Sequence, residues 1–242
     1  MLKKLIGIIL LALSLQAQAT PVLLEDWDNL SDWTLGTLSN PARFTSQNSV
    51  TSFGHTFTPT EGSKLLRISG GFETTEPSII YRSFHFSNGD ILAFDWFTIS
   101  RDSLPDNDAS YFLLSKDGVT FTAYLLADVA SLGGITGTAT GWNTSYLNLL
   151  GSGDLFVGFA AIDTGIEGGA IFFGTDNLRL VDEIPGTAPS PDGKVTQVTT
   201  FDFGPSTPPP GGAVPEPGSA FLVLAGLLGI GGAARRKQDR LH

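Results

Sequence analysis

Carboxylates and aromatic rings are the side chains here whose types and spacing could do chemistry. Asp102, Asp106, Asn107 and Asp108 crowd one polar stretch, with Asp95 shortly before it. Hard oxygen donors at that density suit Ca2+, which takes about six to eight oxygen ligands. Asp and Asn also form turns by bonding their own backbone, which explains the same cluster without a metal. Trp27, Trp33, Trp96 and Trp142, with Tyr81, Tyr111, Tyr124 and Tyr146, offer flat apolar faces that can stack on pyranose rings or pack a core. Trp96 lies in an apolar alternation and reads as core. Trp142, after the Gly-rich stretch 133–141, is the better placed of the tryptophans for ligand contact. Covalent and acid–base chemistry is thinly supplied. There is no Cys, so no thiol nucleophile. His55 and His85 are the histidines of the central region, and Gly151-Ser152-Gly153 is a turn rather than a nucleophile elbow. Nothing in the spacing selects Glu73 and Glu76 as an opposed glycosidase pair. Gly165-Ile166-Glu167-Gly168-Gly169 lacks the Lys and hydroxyl residue of a phosphate loop.

The elements that must position these groups are strands. Val119, Phe121, Ala123 and Leu125 alternate with Thr120, Thr122, Tyr124 and Leu126, a period of two rich in β-branched and aromatic residues. Asp117-Gly118 just before it predicts a tight type I′ hairpin from a strand at 109–115. Further strands are predicted at 64–69, 78–86, 90–99, 142–149, 154–162 and 170–181. That number of short strands broken by Gly, Asn and Asp specifies an all-β fold, a jelly-roll β-sandwich. No period of 20–50 residues repeats, which excludes solenoids and propellers.

Charge and the two ends bound the function. The formal net charge is −10, but six of the 14 basic residues sit at the ends. Between Thr20 and Pro217 there are 8 basic against 23 acidic side chains, a balance of −15 that repels nucleic acid and favours a cation as partner. Lys3 and Lys4, the apolar run 5–15 and Ala17-Gln18-Ala19 make residues 1–19 a secretory signal peptide, cleaved by signal peptidase after Ala19. The ectodomain is then 20–182, followed at 183–213 by a Pro/Gly/Ser/Thr-rich linker. Within that linker 195–203 has the pattern of one extra short strand. Residues 214–238 carry Pro215-Glu216-Pro217, an apolar stretch at 220–234 and Arg235-Arg236-Lys237. Fifteen helical residues rise about 22 Å, short for a permanent span, and the arginines hold the tail on the cytoplasmic side.

Motif, transmembrane helix and arginine cluster in that order resemble the PEP-CTERM sorting signal of Gram-negative bacteria. The resemblance assigns Pro215, Glu216, Pro217, Arg235 and Arg236 to recognition by an exosortase, a membrane-embedded peptidase-transpeptidase. It implies a precursor held transiently in the inner membrane and delivery to the cell surface or matrix. Host bacteria of that kind make exopolysaccharide and biofilm. The stretches 25–33, 91–115 and 173–180 resemble the opening, core and closing strands of carbohydrate-binding-module-like jelly rolls and of choice-of-anchor surface proteins. In such modules a structural Ca2+ ties the first strand to the last, which assigns Glu25, Asp26 and Asp176 to calcium, ahead of Asp102, Asp106 and Asp108. The same resemblance makes extracellular polysaccharide the expected ligand; Trp142, from its place after the Gly-rich stretch, is the expected contact, and the lack of a nucleophile–base pair or catalytic metal set makes the expected role non-enzymatic. A lectin-like module is the alternative, and a surface glycoside hydrolase or lyase a more remote one.

Overall fold

The computed structural model describes residues 21–25, 27–36, 43–70, 77–164, 169, 171–184 and 195–202. The signal peptide, the sorting segment, Asp26, Glu73, Glu76 and most of the glycine cluster at 165–169 lie outside the described residues. So does the linker apart from its strand. No helix among the described residues is long and apolar enough to cross a membrane.

Fourteen strands are described: β1 (Val22–Glu25), β2 (Thr34–Leu35), β3 (Phe44–Gln47), β4 (Val50–Ser52), β5 (His55–Phe57), β6 (Leu65–Ser69), β7 (Ser78–Phe86), β8 (Ile91–Ile99), β9 (Ala109–Ser115), β10 (Thr122–Asp128), β11 (Asn143–Leu150), β12 (Gly153–Ile162), β13 (Phe172–Val181) and β14 (Val195–Asp202). They form a β-sandwich. One sheet runs β14-β11-β8-β13-β6-β3, with β1 pairing the second half of β13. The other runs β10-β9-β12-β7-β2, and β4-β5 is a separate hairpin. The expected strands at 78–86, 90–99, 142–149, 154–162 and 170–181 are present as β7, β8, β11, β12 and β13.

Alternation decides what each strand buries. On β8, Leu92, Phe94 and Trp96 enter the core between the sheets. There they meet Phe112 and Leu114 of β9, Leu155, Val157 and Phe159 of β12, and Phe173 and Leu178 of β13. Burying each such side chain contributes about 1.5–3 kcal/mol. The other register of β8, Ile91, Ala93, Asp95, Phe97 and Ile99, faces outward and is buried as well. The β4-β5 hairpin lies over this outer face, where Val50 and Phe57 join Leu65, Phe97, Ile99, Trp142 and Phe172 in a second apolar cluster. Phe57 stacks on Phe97 with centroids 3.8 Å apart. Position 174 must be Gly, because a Cβ there would run into the Phe97 ring.

Three local expectations differ from the structure. The two-residue type I′ turn appears at Phe53-Gly54, with φ of 49° and 81°, in the β4-β5 hairpin. The β9–β10 connection is longer, and β10 begins at Thr122. Asp117 accepts bonds from the N–H groups of Val119 and Thr120 and from the Ser115 hydroxyl, so a side-chain-organised loop takes the place of a tight turn. Finally, the strand within the Pro-rich linker belongs to the sheet. β14 pairs parallel to β11 from Val195 opposite Thr144 to Asp202 opposite Leu150, so the folded unit reaches beyond residue 182. It covers the β11 edge, which would otherwise present a row of unpaired backbone groups.

Candidate functional site

The acids assigned to calcium are dispersed. Glu25 pairs in register with Leu178, which points into the core, and it therefore sits on the inner side of the sheet. Its Oε1 accepts the Trp27 N–H at 2.9 Å, and its Oε2 accepts the Trp33 indole N–H and an Arg82 N–H, both at 2.9 Å. Asp176 lies across from Asp95, on the outer face of the same sheet. A single cation cannot be shared by Glu25 and Asp176 through the sheet between them. The first and last strands do meet, as expected, but alternation sends their carboxylates to opposite faces.

Asp176 has gained a neighbour that sequence reasoning placed elsewhere. Asp95, expected beside the 102–108 stretch, stands beside Asp176 on the adjacent strand. Asp176 Oδ2 accepts the N–H groups of Thr60 and Glu61 at 2.6 and 3.1 Å. The Thr60 hydroxyl lies 2.8 Å from Asp95 Oδ2 and 3.1 Å from Asp176 Oδ2, one proton between two acceptors. Thr144 donates to Asp95 Oδ1, Asn177 donates to the same Oδ2 as Thr60, and Arg179 approaches that oxygen at 3.5 Å. Burial pushes the Asp176 carboxyl up to about 6 despite these bonds, and its Oδ1 has no partner. The bulge that aims Asn177 at Asp95 requires a φ of 54° at Asn177, a conformation Asn tolerates.

The 102–108 stretch organises its own loop. Asp102 accepts the Ser103 N–H, while Asn107 bonds Asp128 and the Ala130 N–H. Asp106 is half-buried. Asp108 is fully buried and accepts the Thr164 N–H through Oδ1, while its Oδ2 has no partner. Burial, aided by the nearby Asp163 and Asp102 carboxylates, pushes its carboxyl up to about 7. Among the described residues no three acidic or imidazole groups converge as a metal site would require.

Trp142 is not a surface contact. It is 7% exposed and packs edge-on to Phe97 and Phe57, at centroid distances of 4.8 and 5.9 Å. The reason is the β4-β5 hairpin, which turns that outer face into a second core. Trp27, Trp33 and Trp96 are buried between the sheets.

Phe53, at the tip of the β4-β5 hairpin, is 52% exposed, and partly accessible tyrosines lie on the other sheet. On β12, Phe156, Gly158 and Ala160 face outward, because Leu155, Val157 and Phe159 point into the core. Gly158 pairs with Tyr81 on one side and Leu113 on the other, and Ala160 pairs with Ile79 and Tyr111. Two minimal side chains, both buried, make the floor of a shallow trough between Tyr81 and Tyr111, which are half-buried, with Ile79 and the fully buried Leu113 in the same outward register. Gly158 cannot gain a Cβ, which would lie 2.8 Å from the Ile80 carbonyl. The 116–121 loop reaches over one end, setting Phe121 5.1 Å from Tyr81, with Phe156 completing the aromatic group. Leu125, 47% exposed, flanks Tyr111 on β10. The expected alternation of 119–126 holds over β10, but it did not reveal which face stays open.

No curated protein matches the chain. Among solved structures, the chain is similar to TmCBM61 in complex with beta-1,4-galactotriose, at TM-score 0.38 and 10% identity, covering 64% of this chain and 91% of that one. It is similar to the mannan-recognising carbohydrate-binding module TmCBM27, at 0.38 and 15%, covering 69% and 98%. It is also similar to the C-terminal family 22 carbohydrate binding module of Clostridium thermocellum Xyn10B, at 0.37 and 13%, covering 71% and 96%. Residues 213–237 match the PEP-CTERM protein-sorting motif, so the chain carries the signal of an exported protein that is held transiently in the membrane and processed by an exosortase.

Proposed function

We propose that this chain is a non-enzymatic protein of the cell surface or extracellular matrix of a Gram-negative bacterium. In this reading the sandwich holds exopolysaccharide of the biofilm in the trough between Tyr81 and Tyr111. Signal peptidase removes residues 1–19, and exosortase removes the tail after recognising Pro215, Glu216, Pro217 and the arginines. The observation that carries the binding half is the trough itself: two half-buried phenol rings beside a floor of Gly158 and Ala160. A sugar ring presents an apolar C–H face and an equatorial hydroxyl rim, and a tyrosine matches both with its ring and its O–H. Each stacked ring contributes about 1–3 kcal/mol, by analogy with bases stacked on protein aromatics. Single-chain affinity is then modest, and retention in a matrix depends on many copies.

Affinity electrophoresis of the exported protein through the host's own polymer is the test. Retardation that is lost in Tyr81→Ala and Tyr111→Ala supports the trough. No retardation by that polymer leaves the body a spacer, and release of new reducing ends overturns the non-enzymatic reading. Structural calcium belongs to this proposal at two places, the free oxygens Asp176 Oδ1 and Asp108 Oδ2. A ligand bound only by the folded chain raises the melting temperature. A calcium-dependent rise abolished by Asp176→Ala or Asp108→Ala tells which carboxylate holds the ion. Coincident curves in calcium and in chelator remove it.

A further inference from the structure

A crevice of about 800 Å3 opens at one end of the sandwich, between the β10 edge of one sheet and β8 and β11 of the other. Its size falls in the roughly 300–1,000 Å3 range of small-molecule sites. Trp96 and Asn143 line it from the core side, Leu126 and Leu132 from the β10 side, and Thr138 from the 129–142 loop. Asn143 is fully buried. Its amide N–H2 donates to the Gly141 carbonyl at 3.0 Å, but its Oδ1 has no donor. A buried acceptor left unpaired is destabilising, and a ligand N–H or O–H would satisfy it.

The walls are fixed beforehand. The 129–142 loop is tied to the β8 end by Ser100 N–H to Thr138 O at 2.8 Å, Gly137 N–H to Ser100 O at 2.9 Å and Thr140 N–H to Thr98 O at 3.0 Å. His55 of the β4-β5 hairpin sits 3.0 Å from the Gly137 carbonyl, and Phe53 packs against Gly137 itself. A site ordered before binding spends little on ordering its ligand contacts.

The lining has no Asp, Glu, Lys or Arg; its polar groups are hydroxyls, amides, carbonyls and one imidazole. An anion would also approach a chain whose 20–217 region carries −15. We propose that this crevice is a second binding site, one that takes one or two units of an uncharged sugar, with a ligand hydroxyl donating to Asn143 Oδ1. The proposal rests on the polysaccharide reading for its ligand class but shares no residue with the trough.

Saturation-transfer-difference NMR on the full chain tests it, with glucose, galactose, mannose, xylose, N-acetylglucosamine and their β-1,4 disaccharides as probes and glucuronate as the charged control. Signal from at least one neutral sugar, and none from glucuronate, is expected. Leu132→Trp, which fills the crevice from its partly exposed wall, should weaken binding at least about tenfold, the equivalent of ~1.4 kcal/mol. Asn143→Leu should do the same if its melting curve shows it folded. Tyr81→Ala should leave this binding unchanged. Binding lost in Tyr81→Ala but kept in Leu132→Trp assigns it all to the trough and overturns the crevice while sparing the proposed function. No signal from any neutral probe also overturns it, whatever the polymer does in electrophoresis.

Discussion

The outer face of the seven-stranded sheet carries Asp95, Asp176, Thr144 and Tyr146; that of the five-stranded sheet carries Tyr81, Tyr111, Phe156, Gly158 and Ala160. By residue type the first looks like the chemical face and the second like packing. In the structure the first face is covered by another segment, and the second carries the proposed trough. The segment 50–61 lies over the carboxylates as a lid of hairpin and loop, so they accept from Thr60, Glu61, Thr144 and Asn177. Among the described residues, the 116–121 loop lies near the tyrosines at one end, with Phe121 beside Tyr81, and Leu125 of β10 flanks Tyr111. What separates a functional face from a structural one here is whether another segment covers it, a long-range property that residue type does not encode.

Removing a covered charge should have the largest effect. Asp95 is 1% exposed and accepts bonds from Thr60, Thr144 and Asn177 beside the Arg179 guanidinium. Asp95→Ala leaves those donors and a mostly buried cation without their acceptor, at a cost of about 3–5 kcal/mol. At roughly 2–4 °C per kcal/mol for a chain of this size, the melting temperature should fall by about 10 °C, measured by circular dichroism. A fall no larger than that of a surface substitution would mean that the face is open after all.

The next effect is on pH dependence. Asp176 is pushed up to about 6 when folded, against an ordinary value of 3.8. The folded state therefore holds this proton more tightly than the unfolded one, and between pH 4 and 6 stability falls as pH rises. Two units correspond to something on the order of 3 kcal/mol. Asp108, pushed up to about 7, extends the same slope toward neutrality. Asp117 and Asp128 are held below the ordinary range by the hydrogen bonds they accept, so their contribution is lost at more acid pH. In chelator, the melting temperature should therefore peak near roughly pH 4. Asp176→Asn should roughly halve the fall between pH 4 and 6, where Asp108 contributes as well, and leave the Asp108 part between pH 6 and 7 unchanged. An unchanged profile in that variant would show that the carboxyl is not buried as described.

The strands were legible where a long run of apolar, β-branched and aromatic residues lies between turn residues, as in β7, β8, β12 and β13. The hairpin β4-β5 was missed because its strands are three residues each, too short to show a period. That omission is why Trp142 was expected at the surface: its cover is a hairpin some ninety residues earlier in the chain. Glu25 and Asp176 were expected together because the first and last strands pair, and they do. Their separation depends on side-chain parity across a bulge at Asn177, where one residue decides the face. Tyr81 and Tyr111 were visible as rings but could not be preferred over the tryptophans. The one local signal was small residues at alternate positions of β12, Gly158 and Ala160, within an otherwise large-residue run.

On the open face, effects should appear in binding more than in folding. Tyr81→Ala and Tyr111→Ala should each weaken retardation by host polysaccharide about tenfold, ~1.4 kcal/mol. Tyr81→Phe should keep most of it, because the ring remains. Their cost in stability should stay well below that of Asp95→Ala, since both rings are half-exposed. Should Asp95→Ala weaken retardation as much as Tyr81→Ala, at a temperature where it is still folded, the covered face takes part in binding and the contrast fails.

The smallest effect belongs to an ion pair on the open sheet. His85 Nδ1 lies 3.0 Å from Asp154 Oδ1 across the β7–β12 ladder, and the side chains are 73% and 71% exposed. The distance is no longer than several on the covered face. Here water screens the charges and supplies replacement hydrogen bonds, so exposed pairs contribute about 0–1 kcal/mol. Asp154→Asn should therefore shift the melting temperature by no more than about 2 °C, and even less in high salt. Paired with Asp95→Ala, it isolates burial as the variable, because both changes remove one carboxylate from a strand that pairs with a cationic or titratable neighbour. Equal shifts in the two variants would mean that hydrogen-bond geometry, not the cover provided by residues 50–61, sets the difference between the faces.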